Sequence, residues 1–245
     1  MSTTGPVDFL LQILLGVLAD SPKEIIDWYK RKLKGITFAV FGYRGTGKTT
    51  LLRRMQGITI HEEVEPTFGR QQVSDFDFEI YGGKEVTVKK TFDPSGEKGS
   101  WPLWRQIFLD VKPQGIIFVI DHERPDDHRI ALRRILNIIR PSNPRRPSLF
   151  KANPYVAASN NLKAFLLLVN KSDMWESQSP GGTKLQDVLK LYSAEILEIE
   201  KFMLDKGGQF YAERCSAKYG NHFDEAIPNF LMGMIHGRRT RKGKA

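Results

Sequence analysis

Residues 36–49 read ITFAVFGYRGTGKT, and this stretch decides the fold class. Its first six residues, 36–41, are mostly β-branched and aromatic, which predicts a short buried strand. The next eight residues, 42–49, match the pattern G-x-x-x-x-G-K-[S/T]. Apolar residues then return at helical spacing, at Leu51 and Met55. The order of strand, glycine-rich loop and helix is the context in which this pattern forms a phosphate-binding loop.

The residue types of this phosphate loop suit the chemistry of phosphate. Its glycines let the backbone curl so that successive N–H groups point at a β-phosphate, and the following helix adds its positive N-terminal dipole. Lys48 brings a positive charge to the β- and γ-phosphates, and the Thr49 hydroxyl is a hard oxygen ligand for Mg²⁺. We therefore predict that a nucleoside triphosphate is bound by the following residues: Gly42, Arg44, Gly45, Thr46, Gly47, Lys48, Thr49 and Thr50.

Residues 170–173 read NKSD, follow the apolar run 164–169, and indicate which base is bound. The Asp173 carboxylate can accept hydrogen bonds from both N1–H and the N2 amine of guanine. Adenine has no such pair of donors and would leave the carboxylate desolvated and unpaired. We expect Asn170 to tie this loop to the phosphate loop and the stem of Lys171 to cover the plane of the base.

A second base-recognition segment reads CSAK at 215–218 and follows a predicted strand at 210–214. The N–H of Ala217 would donate to O6 of guanine, Lys218 would cover the other face of the base, and Ser216 is included in this predicted site. NKxD and SAK motifs, in this order after a phosphate loop, predict a guanine nucleotide.

On these motifs the chain resembles the Ras superfamily of small GTPases. The resemblance implies a threonine that reaches Mg²⁺ and the γ-phosphate from a mobile loop, and Thr67 in residues 66–69, PTFG, takes that place. The PTxG form is most similar to the Arf and signal-recognition-particle-receptor β branch. A DxxG motif is also implied, at residues 93–96, DPSG, where Asp93 would hold Mg²⁺ and the Gly96 N–H would sense the γ-phosphate. The implied metal ligands are Thr49, Thr67 and Asp93.

The fold follows from the alternation of strands and helices together with this resemblance. We expect a three-layer α/β fold of the P-loop GTPase type, with a mostly parallel six-stranded sheet. The predicted organisation is an N-terminal helical extension at 1–34, a GTPase domain at 35–237 with an insertion at about 141–162, and a basic tail at 238–245. The insertion is rich in Pro, Asn, Ser and basic residues, which favours a solvated loop over a partner contact.

Apolar spacing predicts further helices in the domain. Residues at i, i+3 and i+4 predict one long helix over 185–203 between the two guanine motifs, and a C-terminal helix over 223–235. A short helix is expected to start near Pro102. Trp101 and Trp104 in that helix suit either an effector surface or core packing. None of the five histidines is assigned a catalytic role.

Two residues depart from the family pattern. Glu97 follows the DxxG motif, where a glutamine usually positions the attacking water. A carboxylate can still orient water, but it repels the γ-phosphate, so we expect slow hydrolysis that needs a partner for speed; a solvent-facing loop residue is the alternative. Arg44 stands where Ras proteins have glycine and Arf proteins tend to have aspartate. It either acts as an arginine finger in cis or points to solvent. The predicted catalytic residues are Lys48, Thr67, Gly96 and Glu97.

The composition limits the class of protein and its partners. The 245 residues carry 37 Lys and Arg against 28 Asp and Glu, a net charge of +9 that favours anionic partners. The single cysteine, Cys215, excludes an internal disulfide. The apolar run at 7–19 is shorter than the roughly 20 residues that span a bilayer. The extension at 1–34 is therefore expected to pack on its own domain, to meet a protein partner, or to lie on a membrane surface.

Together these observations predict a cytoplasmic molecular switch that binds GTP or GDP with Mg²⁺ and hydrolyses GTP slowly, controlling assembly with a protein partner or a membrane. The alternative is an interaction subunit clamped by GTP, with negligible hydrolysis. A third possibility is a switch recruited to the membrane periphery by its N-terminal helix. No motif supports sequence-specific DNA binding.

Overall fold

The part of the chain that the computed structural model describes comprises these residues: 35–60, 65, 67–80, 84–140, 154–176 and 184–236. The predicted helices at 1–34 and the basic tail at 238–245 lie outside the described residues, and so does the segment 141–153 of the predicted insertion. Within the described residues, no helix combines the length and the hydropathy that crossing a membrane requires.

The described chain contains eight strands and eight α-helices. The strands are Phe38–Gly42 (β1), Arg70–Val73 (β2), Phe76–Ile80 (β3), Lys84–Val88 (β4), Thr91–Pro94 (β5), Gly115–Ile120 (β6), Ala164–Val169 (β7) and Gln209–Arg214 (β8). The α-helices are Lys48–Met55 (α1), Trp101–Val111 (α2), Pro125–Ile139 (α3), Pro154–Ser159 (α4), Ser172–Trp175 (α5), Leu185–Lys190 (α6), Ser193–Asp205 (α7) and Phe223–His236 (α8).

The centre of the fold is a parallel sheet in the order β1-β6-β7-β8. Every residue of β1, β6 and β7 is buried, as expected for apolar strands that are covered by helices on both faces. In this register Val40 lies opposite Ile117, and Ile117 lies opposite Leu166. Parallel strands bring their carboxyl ends to one edge of the sheet, so the loops after β1, β6 and β7 lie side by side.

Helices cover both faces of this sheet and produce the predicted three layers. Residues of α2, α3, α4, α6 and α7 pack on one face, which carries Phe41, Phe118 and Phe165. Residues of α1 and α8 pack on the other face, which carries Phe38 and Leu166. The strands β3 and β4 extend this second core. The α/β fold with a parallel central sheet is thus confirmed.

Where one six-stranded sheet was expected, the described residues form a four-stranded parallel sheet and two antiparallel pairs. The two antiparallel strands next to β1 are each divided, so that β3 pairs with β4 and β2 pairs with β5. Lys90, between β4 and β5, has a left-handed backbone (φ 54°), and its N–H donates at 3.2 Å to Oδ1 of Asp75, which lies between β2 and β3. Beyond Lys90, β5 runs beside β1, where Thr91 Oγ1 donates to the carbonyl of Phe38 at 2.8 Å.

Two of the helix predictions also need comparison with the structure. The single helix expected over 185–203 is two helices, α6 and α7, separated at Tyr192, whose φ and ψ of −116° and 14° leave the helical region. The apolar stripe is still buried, because Val188 and Ile199 remain on the core side of the two helices. The C-terminal helix expected over 223–235 is confirmed as α8. The predicted insertion contains α4, so its described part is not a loop.

Candidate nucleotide-binding site

The phosphate loop occupies residues 42–49, between the end of β1 and the start of α1. Gly45 and Gly47 have left-handed backbones with φ of 77° and 86°, which L side chains rarely adopt. The side chains of Thr46 and Lys48 fold back over the loop, and each donates to the carbonyl of Tyr43 at 3.0 Å. The loop therefore forms one wall of an open cavity of about 440 Å³, which is within the range of small-molecule sites.

Lys48 lines this cavity and is only 6% exposed. Burial lowers the pKa of its ammonium to about 8, while the carboxylate of Asp93 acts in the opposite direction. Burial without an anionic partner is unfavourable for an ammonium group, and a phosphate in the cavity would relieve that cost. The position and the charge of Lys48 thus suit an anionic ligand.

Three oxygen-bearing side chains, predicted as metal ligands, meet beside Lys48. The Thr49 hydroxyl donates to Asp93 Oδ2 at 2.5 Å, and the Thr67 hydroxyl donates to the same atom at 2.8 Å. The two hydroxyl oxygens lie 2.9 Å apart. The other carboxylate oxygen, Asp93 Oδ1, is buried and has no hydrogen-bond partner among the described residues. This is a hard oxygen donor set of the kind that Mg²⁺ prefers, with an acceptor left over for a water ligand of the ion.

The DxxG loop, residues 93–96, packs directly against the phosphate loop. A Cβ atom on Gly96 would lie 2.4 Å from the backbone nitrogen of Arg44, so only glycine fits. Two indole N–H groups hold the loop from the other side, as Trp104 donates to the carbonyl of Ser95 and Trp101 to that of Gly96, both at 3.1 Å.

The sequence suited Trp101 and Trp104 to either core packing or an effector surface, and the structure places the two side chains differently. Trp104 is fully buried in the core, whereas Trp101 is half-buried and packs on Trp104 with ring centroids 5.6 Å apart.

Glu97 and Arg44 contact each other across the mouth of the cavity. The Arg44 Nη1 and Glu97 Oε1 atoms are 3.6 Å apart, and the two side chains are 57% and 48% exposed. The contact joins the phosphate loop to the residue after the DxxG motif. Sequence reasoning treated the two departures separately and missed this pairing, since nothing in the spacing of residues 44 and 97 indicates it.

On the base side, Asn170 joins both predicted base loops to the phosphate loop. Its Nδ2 donates to the carbonyl of Thr46 at 2.8 Å, which is the contact expected from the sequence. Its Oδ1 accepts the N–H of Ala217 at 2.9 Å, so in this structure that N–H, expected to donate to guanine O6, is directed at Asn170. A Cβ on Gly47 would lie 2.3 Å from Asn170 Nδ2, which explains why glycine is required there.

The remaining predicted base-site residues are placed as follows. Ser216 is fully buried and its Oγ accepts the N–H of Tyr219 at 3.2 Å, so it shapes the turn of the loop. Lys218 is exposed, and its ammonium lies 5.5 Å from the ring centroid of Tyr219. Asp173 is half-buried in the first turn of α5, and Thr50 lines the cavity.

Lys171 contacts acidic residues that the sequence analysis did not single out. Its ammonium lies 2.8 Å from Asp121 Oδ2 and 3.4 Å from Glu123 Oε2. Burial lowers the pKa of Lys171, but these two carboxylates outweigh it and the pKa is raised. Asp121 is also paired with the buried His128, at 3.1 Å, and burial lowers the pKa of that imidazole to about 4 against the opposing charge of Asp121.

Asp121 follows the buried strand β6 at the carboxyl edge of the sheet, where sites of open α/β sheets form. That position was the available signal for finding it.

Arg54 is a second residue that sequence reasoning missed. It lies in α1, and its Nε donates to the carbonyl of Ala217 at 2.5 Å. Its Nη2 donates to the carbonyl of Lys218, and its guanidinium lies 5.8 Å from the ring centroid of Phe223. The helix that begins at the phosphate loop therefore also holds the base loop at 215–218. The sequence carries no signal for this contact.

The comparisons with known proteins agree with this geometry. The model of the ADP-ribosylation factor family, Arf, matches residues 23–232. The chain belongs to this family. The match starts inside the predicted extension at 1–34 and ends within α8. As an Arf-family GTPase, the chain binds GTP and GDP, hydrolyses GTP and acts as a switch.

Solved structures of similar fold include the Arl6 BBS3 small GTPase from Trypanosoma brucei with the bound nucleotide analogue GppNp. The two chains are 19% identical and superpose with a TM-score of 0.53, over 83% of this chain and 99% of the other. This likeness supports the P-loop GTPase fold of the Arf-family chain. Among curated proteins, none matches the sequence significantly.

Proposed function

We propose that this Arf-family chain is a slow switch: it holds GTP with Mg²⁺, hydrolyses it without a covalent intermediate, and needs a partner for rapid turnover. The observation that carries the proposal is that Lys48, Thr49 and Thr67 line one cavity and that Asp93 accepts hydrogen bonds from both threonine hydroxyls. These groups come from the phosphate loop, the first mobile loop of the family and the DxxG loop, so the site joins the elements that must respond to the γ-phosphate.

The phosphates of the ligand are bound by backbone N–H groups and by a positively charged side chain. The backbone N–H groups of residues 44–50 and the ammonium of Lys48 bind the β- and γ-phosphates. Mg²⁺, when bound, neutralises phosphate charge, and Thr49, Thr67 and Asp93 are the residues that would hold it. The orphaned Asp93 Oδ1 supports this assignment. The Gly96 N–H donates to the γ-phosphate from the DxxG loop.

The base is recognised by the two loops that Asn170 joins. Asp173 accepts from N1–H and N2–H of guanine, Ala217 donates to O6, and the stems of Lys171 and Lys218 cover the two faces of the ring. Binding of the base requires the Ala217 N–H to turn from Asn170 Oδ1 toward the ligand or to be shared between the two acceptors. The clamp from Arg54 on the two adjacent carbonyls limits how far the loop can move.

Hydrolysis is expected to be slow because of Glu97. Catalysis of phosphoryl transfer consists of positioning and charge stabilisation, and the family uses a glutamine to orient the attacking water. Glu97 takes that place with a carboxylate whose charge is opposed by Arg44 at 3.6 Å. With Arg44 occupied in this pair, an arginine finger in cis is not supported by its position.

Single-turnover hydrolysis tests the proposal. Purified protein is loaded with GTP and Mg²⁺, and phosphate release is followed for wild type, Glu97→Gln and Thr67→Ala. We expect slow release in wild type, a changed rate in Glu97→Gln, and loss of release in Thr67→Ala. Turnover within seconds by the unaided wild type would contradict slow hydrolysis.

The second candidate function is a GTP-clamped interaction subunit with negligible hydrolysis. The exposed pairing of Glu97 with Arg44 favours it, since a paired carboxylate is less available to orient water. Retention of intact GTP by wild type and by Glu97→Gln alike would favour this candidate. We propose a cytoplasmic location for both, with a protein partner at the loops around Thr67 and residues 93–104. Membrane recruitment through residues 1–34 is tested by flotation with liposomes in GDP and in a non-hydrolysable GTP analogue.

A further inference from the structure

The two residues that depart from the family pattern, Arg44 and Glu97, form one charge pair in the folded chain. We infer that Arg44 is a positioning residue for Glu97. The positive charge of Arg44 compensates the negative charge of Glu97, so that a carboxylate beside the γ-phosphate remains compatible with bound GTP. This inference rests on the proposed function, because it places the γ-phosphate next to Gly96.

The geometry puts the pair at the γ-phosphate end of the cavity. Both residues line the cavity together with Lys48, Thr67 and Gly96. Glu97 follows Gly96, whose backbone is packed on the backbone nitrogen of Arg44. The side chains then meet at 3.6 Å on the solvent side of that contact. The pair therefore bridges the phosphate loop and the DxxG loop at the place where GTP differs from GDP.

The charge of Arg44 should affect the affinity for GTP more than the affinity for GDP. A free carboxylate at position 97 would face the negative γ-phosphate and weaken its binding, whereas a guanidinium beside it opposes most of that field. GDP has no γ-phosphate, so the affinity for GDP should fall much less than the affinity for GTP when the charge of Arg44 is removed. Three other carboxylates line the cavity. Asp121 and Glu123 are paired with Lys171, and Glu65 is exposed to solvent.

The pair contributes little to folding, which makes it testable. Ion pairs with both side chains about half exposed contribute little to the free energy of unfolding. We therefore expect variants at either position to fold normally. A role in stability alone would leave the ratio of GTP to GDP affinity unchanged, so this ratio separates the two roles.

A double-mutant cycle provides the experiment. The dissociation constants of GDP and of a non-hydrolysable GTP analogue are measured with Mg²⁺ for wild type, Arg44→Ala, Glu97→Gln and the double variant. Arg44→Ala should weaken the GTP analogue relative to GDP by about five- to tenfold, the size of one uncompensated like-charge contact near a protein surface. In the Glu97→Gln background the same substitution should change that ratio by less than about twofold.

Lys98→Ala is the matched control, because Lys98 is the next cation of the same loop and is paired with Asp127 at 3.2 Å. It should leave the ratio of GTP to GDP affinity unchanged. Equal losses from Arg44→Ala in both backgrounds would show that Arg44 contacts the nucleotide independently and would overturn the inference. An unchanged ratio in Arg44→Ala would overturn it as well.

The failure of the proposed function has a different signature. Turnover of GTP within seconds by the unaided wild type would contradict slow hydrolysis, and it would leave the coupling between positions 44 and 97 in the binding experiment unchanged. Wild type that binds both nucleotides, with no coupling between positions 44 and 97, would remove only the inference.

Discussion

The phosphate loop is one run of eight consecutive residues, 42–49, whereas the base side of the site joins loops that are distant in the chain. Asn170 and Ala217 are 47 residues apart, and Arg54 and Ala217 are 163 apart, yet each pair is hydrogen-bonded. The phosphate loop takes its shape from its own glycines and from the strand and helix on either side. The base loops take theirs from buried side chains of other elements. A substitution in the phosphate loop should remove a charge from the site, and a substitution that affects the base loops should change how these loops are held.

The largest effect is expected at Lys48 on the phosphate side. Lys48→Ala removes the buried cation that faces the phosphates, and we expect GDP and GTP affinity to fall by roughly 100-fold, the size of a lost charged hydrogen bond. The melting temperature of the nucleotide-free variant should not fall along with the nucleotide affinity, because burial of the ammonium group is itself unfavourable. Titration of a fluorescent GDP analogue measures the affinity. The control is Arg53→Ala, an exposed cation of the same helix. A loss below about tenfold would contradict the assignment.

Asn170→Ala should damage both sides together. It removes the donor to Thr46 and the acceptor of the Ala217 N–H, leaving those backbone groups without their partner. We expect about 1–3 kcal/mol less stability and roughly 10- to 30-fold weaker GDP binding. Thermal denaturation and the same titration check the two effects. The exposed Asn161 provides the control substitution, Asn161→Ala. Loss of affinity without loss of stability would mean that Asn170 does not hold the loops together.

The pH dependence of binding separates the two sides without a substitution. In the nucleotide-free protein Lys48 has a pKa of about 8, and bound phosphate would raise it, so binding above pH 8 takes up a proton. GDP affinity should therefore fall as the pH rises above 8, by at most about tenfold per pH unit. Lys171 on the base side has a raised pKa and stays charged over this range. Titrations between pH 7 and 9 test this, and Lys48→Ala should have a flatter profile. A rise in affinity with pH would have the wrong sign.

The smallest effect is expected at Arg54, which acts only through the base loop. Arg54→Ala removes two hydrogen bonds to the carbonyls of Ala217 and Lys218, and we expect roughly three- to tenfold weaker GDP binding. Affinity for pyrophosphate with Mg²⁺, which meets only the phosphate side, should stay the same. Competition against the fluorescent GDP analogue gives both values. The control Arg53→Ala lies next to Arg54 in α1 and is exposed. Equal loss for GDP and pyrophosphate would place the effect of Arg54 on the phosphate side.

Much of the fold was predictable because its signals are local. The apolar runs at 36–41 and 164–169 correspond to the buried strands β1 and β7, and the helical spacing over 223–235 corresponds to α8. The predicted elements differ from the structure at positions where the backbone angles of a single residue end a strand or a helix. The positive φ of Lys90 lies at the break between β4 and β5, and the non-helical angles of Tyr192 lie at the break in the helix expected over 185–203. Single angles of this kind leave no mark on hydrophobic periodicity.

The predicted site residues are the ones whose type and spacing carry chemistry within a short segment. The structure brings Lys48, Thr49, Thr67 and Asp93 together, and it joins Asn170 to the phosphate loop, as the motifs indicated. The contacts of Asp121 and Arg54 were missed. A carboxylate after a strand and an arginine on a helix are common, and only their partners make them part of the site.

The amino-acid sequence by itself determined the class of fold, the phosphate loop and the choice of guanine, since each depends on residues that are neighbours in the chain or belong to a recurrent motif. Three features depend on the packed fold: the contacts that hold the base loops, the two indoles that anchor the DxxG loop, and the pairing of Arg44 with Glu97. The physical reason is that these contacts join side chains from separate elements. Their distances are fixed by packing of the sheet and helices, and spacing along the chain does not encode them.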